Sequence, residues 1–121
     1  MVPGISITYW GPSAWNFLHT IAYTYNTNPS KADKENMSVF LHAFAKILPC
    51  KAGRSDFTKY VQTHVSRSSP MFDSRESMVR FMHDAHNHVN SKLGKRPMTL
   101  ERSKHKYLTE FHAEYTMIKY L

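Results

Sequence analysis

The chain has 121 residues, 41% of them hydrophobic, and only four glycines, which fits one folded, largely helical domain better than a disordered or fibrous chain. Sixteen Lys and Arg against nine Asp and Glu give a formal charge of +7, which favours anionic partners. The basic residues are scattered rather than gathered in a stripe, so a small polyphosphate cofactor suits them and a dedicated nucleic-acid surface is not expected. No run approaches the roughly 18 apolar residues that span a bilayer, and no targeting signal is evident, so the expected setting is the cytoplasm, with no membrane partner. A single cysteine, Cys50, excludes an intramolecular disulfide framework.

Taken in chain order, Gly11-Pro12-Ser13 suggests a turn and helix start, and Trp15, Leu18, His19, Ala22 and Tyr23 recur at spacings of three and four. A first helix is expected over about 12–25. Pro29 and a capping Ser30 precede a second stripe of Met37, Phe40, Leu41, Phe44 and Leu48. Pro49 breaks that pattern and puts Cys50 at the N-terminus of a third helix, whose stripe is Phe57, Tyr60, Val61 and His64. A polar loop over 66–73 leads to a fourth helix over about 74–93, capped by Asp73 with Glu76, with Met78, Met82, Ala85, Val89 and Leu93 facing inward. Gly94 ends it and Pro97 blocks its continuation. A short fifth helix follows from Thr99 or Leu100 to about 111, and the conformation of 112–121 is left open. The expected fold is all-α: a four-helix bundle with a short fifth helix, in a single domain over 1–121.

Three groups of residues could carry chemistry. The first is Trp10-Gly11-Pro12-Ser13-Ala14-Trp15 with His19 and Tyr23, where one helix face can stack on a flat heteroaromatic ring; taken alone, the segment is better accounted for by an aromatic core helix with one satisfied histidine. The second is Leu48-Pro49-Cys50-Lys51-Ala52-Gly53-Arg54. A cysteine at a helix N-terminus beside Lys51 and Arg54 is placed for a stabilised thiolate, although an inert buried cysteine fits too. The third runs from His83 to Lys95: His83, His86, Asn87 and Asn90 fall on or beside one face, and Lys92 and Lys95 follow. Those groups suit a nucleotide and its phosphates. A zinc site lacks a second cysteine and an evident third ligand, so no metal is expected.

In this order and spacing, over about 10–97, the three groups resemble the Erv/ALR family of FAD-linked sulfhydryl oxidases, and are most similar to the compact single-domain versions of large DNA viruses. The family pattern is Trp-Gly-x-x-x-Trp-x-x-x-His, then Pro-Cys-x-x-Cys, then His-Asn-x-Val-Asn-x-Lys-Leu-Gly-Lys. The resemblance implies FAD bound at one end of the bundle, lined by Gly11, Trp15, His19 and Tyr23 from the first helix. From the fourth helix and its exit, His86, Asn87, Val89, Asn90, Lys92 and Lys95 would hold the adenine, ribose and pyrophosphate. It further implies conversion of dithiols and oxygen to disulfides and hydrogen peroxide, thiol-containing protein substrates, and a homodimer formed through the first two helices.

The catalytic pair is broken: Cys50 is present, but Gly53 stands where the family pattern has its second cysteine. Cys50 can enter a mixed disulfide but has no neighbouring thiol to resolve it. The expected activity is therefore impaired while flavin binding is kept. The competing reading is a non-catalytic FAD-binding or dimeric interaction module on the same fold.

Overall fold

A computed structural model describes residues 4–66 and 68–110. Five α-helices follow one another: α1 (Ile7–Tyr23), α2 (Lys31–Lys46), α3 (Lys51–His64), α4 (Arg75–Lys92) and α5 (Leu100–His105). No strand occurs among the described residues. α1 packs along α4 and α2 along α3, and α5 with the π-helical turn Lys106–Glu110 closes against α1 and α4. This is the expected four-helix bundle with a short fifth helix; the expected end of α5 at 111 and the segment 112–121 lie outside the described residues.

The largest departure is at the start of α1, which begins at Ile7 and not at Pro12. Ser6 caps it by accepting the Thr8 N–H at 3.2 Å, and the Trp10 indole N–H donates to the Ile5 carbonyl. Pro12 therefore lies inside a helix, where it forfeits one backbone hydrogen bond. The apolar spacing 7, 10, 11, 14 and 18 extends the same helical stripe upstream of the proline. At the other end α1 stops at Tyr23 rather than 25; Tyr25 leaves the helix but stays buried, donating its hydroxyl to the Phe72 carbonyl at 2.8 Å.

The other starts are set by side chains. Ser30 caps α2 in a reciprocal box with Asp33, and the hydrogen bonds that hold the Asp33 carboxylate lower its pKa. Cys50 is the N-cap of α3, as expected. α4 is capped by Ser74, which accepts the Ser77 N–H, and not by Asp73 with Glu76; the Asp73 carboxylate instead meets Lys34 at 3.1 Å. Inside the loop expected over 66–73, the 3₁₀ turn Pro70–Phe72 buries Met71 and Phe72. Gly94 adopts φ +70, and the bonds Lys95 N–H to Asn90 carbonyl and Gly94 N–H to Ser91 carbonyl form a Schellman ending.

The core is one cluster in which Leu18 and Ala22 of α1, Leu41 of α2, Val61 of α3 and Met78 and Met82 of α4 are buried. Leu93, expected to face inward, is the C-cap of α4 and is 46% exposed. The stripe of α4 ends one turn earlier than its spacing suggests, because the Schellman ending turns the chain there.

Candidate functional site

One end of the bundle holds a cavity of about 460 Å³ walled by four helices. Gly11 and Trp15 line it from α1, Cys50 and Gly53 from the start of α3, and Val89, Asn90 and Lys92 from α4, with Lys95 just beyond. Trp10, Leu18, Phe44 and Phe57 make the rest of its surface strongly apolar. A slot of this kind, apolar within and lysine-bearing at one side, has the volume and chemistry of a site for a flat ring system with an anionic tail. Gly11 keeps one wall at backbone level, where a Cβ would come within 3.2 Å of Ile7.

The expected site residues therefore divide. Gly11, Trp15, Val89, Asn90, Lys92 and Lys95 share the cavity with Cys50 and Gly53. His19, Tyr23, His86 and Asn87 do not line it; His19 and His86 form an adjoining cluster reached through Trp15, Tyr23 joins it through Tyr107, and Asn87 sits at the α4–α5 connection. The Trp15 ring stacks on His86 with centroids 4.1 Å apart and planes 8° from parallel. His86 Nδ1 lies 2.8 Å from His19 Nε2, one nitrogen donating and the other accepting. Burial, then the neighbouring His86, His83 and Lys106, lowers His19 to a pKa of about 3. Burial, then Lys106, His83 and Lys95, lowers His86 to about 4. Both rings are neutral at physiological pH, and the pair can share only one hydrogen.

Asn87 is already committed. Its Oδ1 accepts the Met98 N–H at 2.9 Å and the Asn90 amide at 3.2 Å, and its Nδ2 donates to the Met98 carbonyl at 2.9 Å. The side chain thus pins the α4–α5 connection to α4 and orients Asn90, which is buried at the cavity wall.

Several residues here escaped the sequence reading. Tyr107 covers the histidine cluster, its ring 5.0 Å from His19 and stacked 5.4 Å from Tyr23, with its hydroxyl donating to Asn16 at 2.9 Å. Burial and the nearby Tyr23 push its phenol up to about 12, so it remains a donor. Tyr107 lies beyond the last motif residue, Lys95, and no spacing links it to α1. Asp56 also lines the cavity, 2.9 Å from His88 and 3.7 Å from Lys92. Phe44 reads as an ordinary core residue because nothing in a helical stripe separates core from pocket wall.

Cys50 is half-buried, and its Sγ accepts the Gly53 N–H at 3.4 Å. A Cβ built on Gly53 would lie 3.4 Å from the Cys50 Cβ and 3.6 Å from its sulfur. Disulfides have Cβ atoms about 3.5–4.5 Å apart, so position 53 is where a partner thiol for Cys50 fits. Among the described residues, no group of three or more His, Cys, Asp or Glu is placed to hold a metal ion, and no helix is long and apolar enough to cross a membrane.

Comparison with known proteins gives the same neighbourhood by each route. The Erv1 / Alr family pattern matches residues 12–111. The mitochondrial FAD-linked sulfhydryl oxidase ERV1 of Saccharomyces cerevisiae is 40% identical over 85 residues, covering 70% of this chain and 43% of that protein. The "Probable FAD-linked sulfhydryl oxidase" of Acanthamoeba polyphaga mimivirus is 31% identical over 90 residues, covering 74% of this chain and 62% of that one. The chain spans about half the length of the curated relatives it matches. Among solved structures, the yeast Erv1 core superposes with a TM-score of 0.76 at 33% identity, covering 87% of this chain and 86% of that one. The FAD binding domain of yeast Erv1 gives 0.74 at 34% identity, covering 83% and 91%.

Proposed function

Because the chain belongs to the Erv1 / Alr family, we propose that it is an FAD-dependent sulfhydryl oxidase whose thiol-to-flavin step is impaired by Gly53. The observation that carries this reading is the single cavity shared by Cys50, Gly53, Trp15, Asn90 and the lysines 92 and 95. When bound, FAD supplies the two-electron acceptor through which two thiols and oxygen become a disulfide and hydrogen peroxide. The chain's own residues divide the remaining work. Trp15, Leu18 and Phe57 give an apolar wall that excludes water. Asn90, held by Asn87, supplies a fixed polar group, and Lys92 and Lys95 answer the charge of the pyrophosphate. Cys50 meets the substrate sulfur, for which the reading takes thiol-bearing proteins as the source; as a lone thiol it can only exchange with an existing disulfide, forming one S–S bond as it breaks another and releasing the displaced sulfur as a thiol, and it stops at that mixed disulfide. The impairment is what distinguishes this reading from that of a fully active oxidase.

The test is cofactor uptake. The purified chain, incubated with FAD and desalted, retains stoichiometric flavin visible in its absorption spectrum. Asn90→Ala lowers the affinity about tenfold without loss of helical signal. A chain that stays colourless, or an Asn90→Ala protein that binds as tightly as the parent, would sink the assignment.

A second copy of the chain is the proposed partner. Tyr9 and Phe17 on α1 and Val39 on α2 are 78%, 60% and 62% exposed, and Ile47 at the end of α2 is 75% exposed, more large apolar surface than two helices of a small monomer usually show. Light scattering at micromolar concentration gives the mass of a dimer, and Phe17→Glu with Val39→Glu gives that of a monomer. A monomeric parent refutes this partner.

A further inference from the structure

The connection between α2 and α3 carries the thiol, and one side chain closes it. α2 ends at Lys46 and α3 begins at Lys51, leaving Ile47, Leu48, Pro49 and Cys50 to make the bend, and Pro49 has no N–H to give. Arg54, one turn into α3, spans it. Its backbone N–H donates to the Cys50 carbonyl at 2.7 Å, and its half-buried guanidinium donates through Nη1 to the Leu48 carbonyl at 2.8 Å. Leu48 and Cys50 both face the cavity, so a single residue ties down both sides of the segment that presents the sulfur. Read from the sequence, Arg54 is a cation beside the thiol; in the fold its guanidinium serves a carbonyl across the bend.

We propose that Arg54 is the positioning residue of the thiol site, fixing the Leu48–Cys50 bend to the first turn of α3 and so setting how the Cys50 sulfur faces position 53. The proposal rests on the reading of Cys50 and position 53 as the redox pair. A charge-assisted bond to a half-buried carbonyl restrains such a bend more firmly than the backbone alone, and the loss of that restraint lowers the effective concentration of one sulfur at the other. Thermal stability alone does not isolate this effect, whereas a thiol–disulfide equilibrium does.

The experiment uses the full chain carrying Gly53→Cys, without oxygen, equilibrated with mixtures of reduced and oxidised glutathione. The two protein thiols form one S–S bond while their two electrons and two protons convert oxidised glutathione to two molecules of reduced glutathione. Alkylation and mass measurement count the remaining thiols. Arg54→Met lowers the equilibrium constant for disulfide formation about five- to tenfold, and Arg54→Lys, which keeps a donor, retains most of the parent value. If Arg54→Met does not fold, Arg54→Gln, whose amide is too short to reach Leu48, replaces it. An unchanged constant in the Met or Gln variant overturns the proposal, and so does an equal loss in the Lys variant. The constant is read in protein with and without added FAD, so a failure of flavin binding, which bears on the proposed function, does not alter this reading.

Discussion

Peroxide production from dithiothreitol rises at least about a hundredfold when Gly53 is replaced by cysteine in flavin-loaded protein, from a parent with little or no turnover. Thiol oxidation through a cysteine pair needs one sulfur to take the substrate's electrons and a second to hand them on. Cys50 alone fills one of these roles. The geometry accommodates the second: the Cβ of residue 53 falls 3.4 Å from the Cys50 Cβ, at the short edge of the disulfide range. Gly53 has an ordinary negative φ, since only Gly94 among the described glycines is positive, so a side chain there brings no backbone strain. Cysteine there also gains roughly a few tenths of a kcal/mol of helix propensity over glycine. Adding Cys50→Ala to the restored protein abolishes the gain. Strong turnover by the unaltered chain would show that Cys50 needs no partner, and a flavin-loaded Gly53→Cys protein that stays inactive would show that position 53 is not the missing half of the pair.

Acid sensitivity follows from the paired histidines. In the unfolded chain His19 and His86 titrate near their ordinary value of about 6.5, whereas in the folded chain burial and neighbouring cations lower them to about 3 and about 4. Below pH 6.5 the unfolded state therefore binds more protons than the folded state, and each added proton favours unfolding. The stability is fully present above about 6.5 and is lost progressively as pH falls through the folded values of about 4 and about 3. The geometry supplies the reason: a second proton would leave two N–H groups facing each other across 2.8 Å, beneath Trp15 on one side and Tyr107 on the other. Urea midpoints measured from about pH 4.5 to 7.5 decline on the acid side, and replacing both histidines with Gln flattens that decline. A parent midpoint that is level from pH 6.5 to 5, or a double variant with the parent's slope, contradicts the assignment.

Much of this protein is local, and the sequence alone determines it. The stripes at spacings of three and four, the Ser30 cap, the proline before Cys50 and the glycine after α4 define four helices and a fifth through short-range sterics and hydrogen bonding. The order of the three motifs likewise identifies the family, because it depends on residue type and spacing alone. The start of α1 departs from the expected Pro12 because that proline is a strong local signal, while the cap that outweighs it, Ser6 with Ile7 continuing the stripe, is a weaker one. Tertiary structure decided what each polar side chain does. Asn87 and His86 carry the same motif signature as Asn90, yet Asn87 is spent on Met98 and His86 on Trp15 and His19, while Asn90 reaches the cavity wall. Tyr107 meets Asn16 across 91 residues, and Arg54 serves Leu48 rather than the thiol beside it. Such pairings depend on how α1, α4 and the turns close in space, and helical spacing specifies which face a residue occupies but not what waits there.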